Sequence, residues 1–197
     1  MTQLESVLRA AIAALDDAGV PFALIGGLAV SVRTEPRFTR DADLAVAVAD
    51  DPEAEAVVRQ FQTVGFGVSA LVEQNATGRL ATVRLAPMAA PDGGVIDLLF
   101  ASSGVEPEVV SAAEPIEILP SLVVPVARVG HLIALKLLAR DDLTRPQDIA
   151  DLRALLRHVS PTELTLARDA IALITSRGFN RGRDLSAALD DAGLGRV

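Results

Sequence analysis

Apolar positions change their period along the chain, and these changes mark where helices and strands are expected. Apolar residues recur at helical spacing over residues 1–18, which begin with Thr2 and Glu5 at the spacing of a capping box. The next apolar segments are short and uninterrupted, and they predict strands at residues 22–25 and 95–100. The amino-terminal region is therefore expected to place one amphipathic helix beside a buried strand.

The remaining elements follow from the same periodicities and from the positions of glycine and proline. They are a helix at 51–64, two strands at 66–73 and 79–85 joined by a turn, an irregular connection over 101–126 with one short edge strand at 116–119, and further helices after residue 127. This pattern predicts an α+β fold, in which a mixed sheet with flanking helices precedes a C-terminal helical segment. We accordingly divide the chain into a core at residues 1–100, the connection at 101–126 and a helical region at 127–197.

Composition narrows the classes of function without selecting one. Half of the 197 residues are hydrophobic and the net charge is −8, so the chain can bury a core and is not a general binder of polyanions. The absence of Trp and Tyr removes the usual stacking platforms for single-stranded bases, and the absence of Cys excludes disulfides and thiolate sites. The first helix is charged, unlike a signal peptide, and charges and a proline interrupt the apolar tract at 122–139. We therefore expect a cytoplasmic protein without a membrane span.

Asp41 and Asp43 are the first candidates for chemistry. In an extended segment they point to the same face of the strand, while the apolar residues that follow point into the core. Two carboxylates at the start of an apolar strand repel each other and lose hydration, so a cation between them is one explanation. The other is that they cap a strand end beside Arg40. Asp97 stands alone in a later apolar strand, where an acid is costly unless it is paired or bound to a metal.

These residues occur in a recognisable order. A strand, then Gly26 and Gly27, a helix, Asp41-x-Asp43 on the next strand and later Asp97 together resemble the signature of the nucleotidyltransferase superfamily. The resemblance implies a polymerase-beta-like fold in which the core sheet is catalytic and the C-terminal helical region completes the active site.

Within that superfamily, the chain is most similar to the AbiEii-type toxins and the related minimal nucleotidyltransferases. The similarity rests on Arg37-x-Thr39-x-Asp41-x-Asp43 and on the later helices. It implies that Arg37 or Arg40 contacts the triphosphate or the acceptor, and that Thr39 braces the metal-binding loop with its hydroxyl. A solvated turn, in which the arginines offset nearby acids, is the alternative interpretation.

Gly26 and Gly27 have two interpretations. Without side chains, they let backbone N–H groups approach nucleotide phosphates near a helix N-terminus. A tight turn from strand to helix favours the same residue type. The family often has Ser directly after the glycines, whereas this chain has Leu28; Ser31, one helical turn later, is the candidate to replace that hydroxyl.

Lys136 is the only lysine in a chain with seventeen arginines, and it lies in an apolar helix. A lysine that extends from the rim of a helix is the structural explanation, whereas the resemblance places it near the nucleotide phosphates. The resemblance also brings Asp148, and less directly Asp151, to the active site from the following helix. As first-turn acids, both would otherwise complement the helix dipole.

The resemblance implies an enzyme that transfers a nucleoside monophosphate from an NTP to an acceptor hydroxyl. Asp41, Asp43 and Asp97 would bind one or two Mg²⁺ ions, for which Mn²⁺ could substitute. The acceptor would be an RNA such as tRNA, or a protein, and a cognate antitoxin would control this toxin. Two alternatives stay open. One is transfer to a small molecule such as an aminoglycoside, which an acidic exterior would suit, and the other is a catalytically inactive nucleotide-binding scaffold, which Leu28 favours.

Overall fold

The computed structural model describes residues 3–36, 39, 41–90, 93–140, 146–157 and 159–194 of the chain. The helices in these ranges are α1 Gln3–Ala18, α2 Gly26–Arg33, α3 Asp51–Thr63, α4 Glu106–Ser111, α5 Val129–Ala139, α6 Pro146–Arg157, α7 Pro161–Ser176 and α8 Leu185–Leu194. The strands are β1 Phe22–Ile25, β2 Asp41–Val46, β3 Phe66–Glu73, β4 Leu80–Pro87, β5 Val95–Leu99, β6 Glu114–Leu119 and β7 Leu122–Val126. Within these ranges, no helix combines the length and the apolarity that crossing a bilayer requires.

The described strands form one mixed sheet in the order β3-β4-β5-β2-β1-β7-β6. Strand β2 pairs in parallel with β5 and antiparallel with β1, and β1 pairs in parallel with β7. The other neighbouring strands are antiparallel. The predicted mixed sheet with an antiparallel flank is therefore confirmed, and β2 lies at its centre.

Helices α1 and α3 contribute to the core on one face of the sheet. They contact each other, α1 contacts β5, and α3 contacts β3 and β4. Leu8, Leu15 and Phe61 from these helices are fully buried in one core with Leu44 of β2 and Leu98 of β5. Because neighbouring residues of a strand point to opposite faces, the alternate side chains of β2 and β5 are left for the other face.

Residues 101–126 are more regular than we predicted. They contain α4, β6 and β7, so the prediction of an irregular connection was wrong, whereas the short edge strand predicted at 116–119 corresponds to β6. Pro107 lies in the first turn of α4, Pro115 in the edge strand β6, and Pro120 between β6 and β7. Proline is compatible with these three positions, since none of them depends on its N–H, and the fourth proline of the segment, Pro125, lies within β7 opposite Pro115.

Candidate active site

Asp43 and Asp97 are brought together by the register of two parallel strands. Asp43 of β2 lies directly opposite Asp97 of β5, and Ile25 of β1 lies opposite Asp43 on its other side. Asp41 precedes Asp43 by two residues and therefore projects to the same face of β2. The three carboxylates that the sequence grouped thus share one face at the centre of the sheet.

The turn between β1 and α2 packs closely against the side chain of Asp43. Gly26 has a φ of +65°, and a Cβ atom at this position would lie 1.8 Å from Asp43 Oδ2. The backbone N–H of Gly27, in the first turn of α2, donates to the Asp43 carboxylate. Only glycine can combine this positive φ with so close an approach to the Asp43 carboxylate. Gly26 is therefore required by its contact with Asp43 as well as by the conformation of the turn.

The other residues predicted to contact the nucleotide differ in their placement. Ser31 Oγ donates to the Gly27 carbonyl oxygen at 3.0 Å within α2, so this hydroxyl bonds back into its own helix. Thr39 Oγ1 donates to the Asp41 carbonyl oxygen at 3.1 Å and thereby braces the start of β2. The other two predicted contacts, Arg37 and Arg40, lie outside the described part of the chain.

The pKa of the Asp43 carboxyl is raised from its ordinary value of 3.8 to about 6. Burial is the main cause, because it removes the charged form from water, and the negative charges of Asp97 and Asp41 raise the pKa further. Lys136 and the Gly27 N–H act in the opposite direction. A cation bound between these carboxylates would relieve the repulsion and keep Asp43 ionised.

Lys136 of α5 is held between two acids of α6. Its Nζ atom lies 2.7 Å from Asp148 Oδ1 and 2.8 Å from Asp151 Oδ2. The exposed fractions of the three side chains are only 12%, 9% and 2%. Asp148 Oδ2 is buried and has no hydrogen-bond partner among the described residues. The two acids are therefore counter-charges of a nearly buried ammonium group rather than exposed acids that complement a helix dipole.

Arg84 of β4 is a site residue that the sequence interpretation missed. It stands opposite Asp97 in the β4–β5 pair, and it donates from Nε to Oδ1 at 2.9 Å and from Nη2 to Oδ2 at 2.7 Å. Nη2 is also 3.9 Å from Asp41 Oδ2. The available signal was a lone arginine in an apolar strand, but linking it to Asp97 requires the register of the strands.

A cavity of about 710 Å³ lies beside these groups, between the sheet and α5. The charged and glycine residues of the site that line it are Gly26, Asp43, Arg84, Asp97, Lys136 and Asp148. The remaining wall is mixed, with apolar side chains such as those of Val72, Leu99 and Leu135 and polar ones such as those of Glu73 and Gln74. A volume of this size suits a nucleotide or another small molecule.

The basic segment after α7 is largely engaged in contacts within the protein. Arg177 Nη2 lies 2.6 Å from Glu108 Oε1 on α4. Arg183 Nη1 donates to the carbonyl oxygens of Leu138 and Arg140 at the end of α5. These contacts hold the segment between α7 and α8 against the rest of the protein.

Comparison with known families decides the identity of this fold and site. The family described as nucleotidyl transferase AbiEii toxin, type IV TA system, matches residues 7–192. The chain belongs to the AbiEii family of nucleotidyltransferase toxins. The protein is therefore a nucleotidyltransferase, as its glycine and aspartate motifs indicated. Comparison with curated protein sequences gives no significant match.

Solved structures have the same fold as this AbiEii-family chain. The solution structure of the antibiotic-resistance factor ANT(2'')-Ia matches with a TM-score of 0.54 and 18% identity, over 97% of each chain. The crystal structure of ANT(2'')-Ia in complex with adenylyl-2''-tobramycin matches with a TM-score of 0.55 and 15% identity, over 87% of this chain and 97% of that chain. At such identities the similarity shows the nucleotidyltransferase fold alone, and the predicted fold is confirmed.

The carboxylates of this AbiEii-family site suit Mg²⁺ by their chemistry. Mg²⁺ prefers oxygen ligands, and Asp41, Asp43 and Asp97 offer carboxylate oxygens on one face of the sheet. Burial, and after it the negative charges of Asp97 and Asp41, raise the pKa of Asp43, so a cation bound there would favour the ionised carboxylate. As the side chains stand, no three acidic or imidazole groups of the described residues form an ion-binding cluster. Both oxygens of Asp97 are bound by Arg84, so Asp97 would join Asp41 and Asp43 around an ion either by sharing its carboxylate with that arginine or by leaving it.

Replacing Lys136 by methionine is expected to destabilise the protein strongly. The substitution leaves the carboxylates of Asp148 and Asp151 buried without their counter-charge, and breaking a buried ion pair in this way costs about 3–5 kcal/mol. Urea denaturation measures this loss as a change in the free energy of unfolding. The triple variant Lys136→Met, Asp148→Asn, Asp151→Asn also removes the two buried carboxylate charges that have lost their partner, and it should recover most of the stability. No recovery would contradict the electrostatic origin of the loss.

Proposed function

We propose that this AbiEii-family protein is a magnesium-dependent nucleotidyltransferase that moves a nucleoside monophosphate from an NTP to a hydroxyl group of an RNA, such as tRNA, or of a protein. The observation that carries the proposal is that Asp43 and Asp97 meet at the N-terminus of α2, beside Lys136, in a cavity of nucleotide size. Carboxylates for a metal ion, a helix N-terminus at the cavity wall and a nearly buried ammonium group are groups that nucleotidyl transfer can use.

Each group has a defined task in the transfer. Asp41 and Asp43 would hold Mg²⁺, which when bound offsets the charge of the triphosphate and lowers the pKa of the acceptor hydroxyl. Gly26 lines the cavity at the start of α2, and its lack of a side chain leaves room there for the Asp43 carboxylate. The acceptor oxygen bonds to the α-phosphorus while the α–β bridging bond breaks and pyrophosphate leaves. Asp97 would be a shared ligand of the metal or the acceptor of the hydroxyl proton, and Lys136 balances the charge on the leaving pyrophosphate.

The remaining predicted contacts take supporting tasks in this proposal. Asp148 orients the Lys136 ammonium toward the nucleotide through the 2.7 Å ion pair. Thr39 holds the start of β2, and with it the carboxylate of Asp41, by its hydrogen bond. In the segment before β2, the residues proposed to contact the phosphates are Arg37 and Arg40.

The family supplies the biological setting of the proposal. Its description names a toxin of a type IV toxin–antitoxin system. We therefore propose that a cognate antitoxin counters the activity, and that the protein acts in the cytoplasm, where NTPs and RNA are available.

Transfer to a small molecule is the second candidate, and the cavity favours it. Its volume of about 710 Å³ and its partly apolar wall would enclose a nucleotide together with part of a compact acceptor. The similar fold of ANT(2'')-Ia was solved with adenylyl-2''-tobramycin. The acidic residues that line the cavity of this chain, Asp43, Glu73, Asp97 and Asp148, would also attract a cationic acceptor such as an aminoglycoside.

Labelling with α-³²P NTPs distinguishes these candidates. The full chain is incubated with each NTP and Mg²⁺, in separate reactions with total tRNA, lysate proteins and tobramycin. We expect label on the tRNA or on a protein, and loss of that label when EDTA replaces Mg²⁺. Label on tobramycin alone would support the second candidate instead. Nucleotide binding without transfer to any acceptor would support the inactive scaffold and contradict the proposal.

A further inference from the structure

The ion pair between Arg84 and Asp97 engages the atoms that a metal ion would need. The guanidinium binds Oδ1 through Nε at 2.9 Å and Oδ2 through Nη2 at 2.7 Å. This bidentate geometry occupies both carboxylate oxygens. Each oxygen keeps a second lone pair, but a divalent ion held by both oxygens would use the lone pairs that face the guanidinium, so Arg84 and the ion compete for that edge of Asp97.

Arg84 is the partner that can move. Its side chain is 45% exposed, whereas the side chain of Asp97 is 11% exposed. In the part of the chain that the structure describes, the hydrogen bonds of the guanidinium go to Asp97, and its remaining close ion pair is with Asp41. An arginine on the wall of a cavity can rotate away without disturbing the core, while the strand holds Asp97 in place.

Arg84 also balances the charge of a crowded acidic site. Its hydrogen bonds to Asp97, and then its attraction to Asp97, Asp41 and Asp43, raise the pKa of the guanidinium, so it stays charged. Without this cation, the three carboxylates would have a larger negative potential. They would therefore bind another cation more strongly.

We propose that Arg84 is a positioning residue that competes with a divalent metal ion for Asp97, and so sets the metal concentration at which the active site fills. The inference rests on the proposed function, since it takes Asp41, Asp43 and Asp97 as the metal ligands. In the metal-free protein, Arg84 holds the Asp97 carboxylate and balances its charge. When the ion binds, the guanidinium moves from Asp97 into the cavity, and the released carboxylate becomes a metal ligand or a proton acceptor.

Binding of Mn²⁺ to the full chain without nucleotide tests the competition. The electron paramagnetic resonance signal of free Mn²⁺ gives the Kd for the wild type, Arg84→Gln and Arg84→Lys. We expect Arg84→Gln to lower the Kd at least about tenfold, because it removes a charge-assisted bidentate contact from the site. Arg84→Lys should give an intermediate Kd, since lysine keeps the charge but lacks the planar fork that binds both oxygens.

Arg59→Gln is the matched control for the loss of a positive charge. Arg59 lies on α3 in an exposed pair with Glu55, so its replacement should leave the Kd for Mn²⁺ unchanged. Thermal unfolding provides a second readout, in which Mn²⁺ should raise the Tm of Arg84→Gln more than that of the wild type.

Two results would overturn the inference, and they have different meanings. A Kd for Arg84→Gln that equals or exceeds the wild-type Kd would make the Arg84–Asp97 pair purely structural, while leaving the proposed function intact. No Mn²⁺ binding by any variant would contradict the metal assignment of the proposed function itself, and the inference would fail with it.

Discussion

Asp43→Asn is expected to abolish nucleotide transfer and, at the same time, to stabilise the metal-free protein at neutral pH. Loss of a charged metal ligand from the reacting centre should lower the transfer rate by at least about a thousandfold. The stabilisation has a separate cause. Asp43 is costly to ionise in the folded protein, where its pKa is about 6, and asparagine keeps the shape of the side chain without the charge.

The pH dependence of this stabilisation identifies its origin. Because the pKa of Asp43 is about 6 when folded and its ordinary value is 3.8, the folded state binds more protons between these values. The contribution of Asp43 to stability is therefore fully present below about pH 4 and is lost as the pH rises through about 6. At pH 7, Asp43→Asn should exceed the wild type by about 1–3 kcal/mol in free energy of unfolding.

Urea denaturation in EDTA at pH 4 and pH 7 measures both stabilities, and the advantage of Asp43→Asn should appear only at pH 7. Added Mg²⁺ should then stabilise the wild type and leave Asp43→Asn unchanged. A wild type that is the more stable of the two at pH 7 in EDTA would contradict the burial of an unfavourable charge at this position.

Gly26→Ala is expected to displace the Asp43 carboxylate or the backbone turn that packs against it. The new Cβ atom would lie 1.8 Å from Asp43 Oδ2, so either the carboxylate or the turn between β1 and α2 must shift. The φ of +65° adds strain, because the left-handed region costs a residue with a side chain about 1–2 kcal/mol. We expect nucleotide transfer to fall at least about a hundredfold, since small displacements of a reacting group are that costly.

Gly19→Ala provides a matched control for the backbone strain. Gly19 has a φ of +66°, but nothing lies within 4 Å of the position that its Cβ atom would occupy. It should therefore lose about 1–2 kcal/mol of stability and keep its transfer activity. Urea denaturation and the α-³²P transfer assay on both variants separate strain from the collision with Asp43. Equal transfer activities of Gly19→Ala and Gly26→Ala would show that the close approach of Gly26 to Asp43 does not matter for nucleotide transfer.

The features that could be predicted depend on residues close together in the sequence. The apolar run before Gly26 indicated a buried strand that enters a tight turn, and β1 and α2 have this arrangement. Strand alternation placed Asp41 and Asp43 on one face without knowledge of any neighbouring strand. The isolation of Asp97 in an apolar run indicated an acid that is either paired or bound to a metal, and the structure pairs it with Arg84.

The features that could not be predicted depend on contacts across the sheet or between helices. Arg84 and Asp97 are thirteen residues apart, and they meet because of the particular antiparallel register of β4 and β5. Local pattern makes Asp148 and Asp151 ordinary acids near the start of a helix, and only the family resemblance placed them at the active site. Their burial around Lys136 follows from the packing of α6 against α5. Local pattern carries no information on either arrangement, because both depend on the tertiary structure.

Pyrophosphate release, measured together with the incorporation of labelled nucleotide into the acceptor, tests the central claim most directly. We predict one pyrophosphate for each nucleotide transferred by the wild type in Mg²⁺, and loss of both signals in EDTA and in Asp43→Asn. Transfer that continues at the wild-type rate in Asp43→Asn, or in EDTA, would contradict a metal-dependent nucleotidyltransferase centre built on Asp41, Asp43 and Asp97.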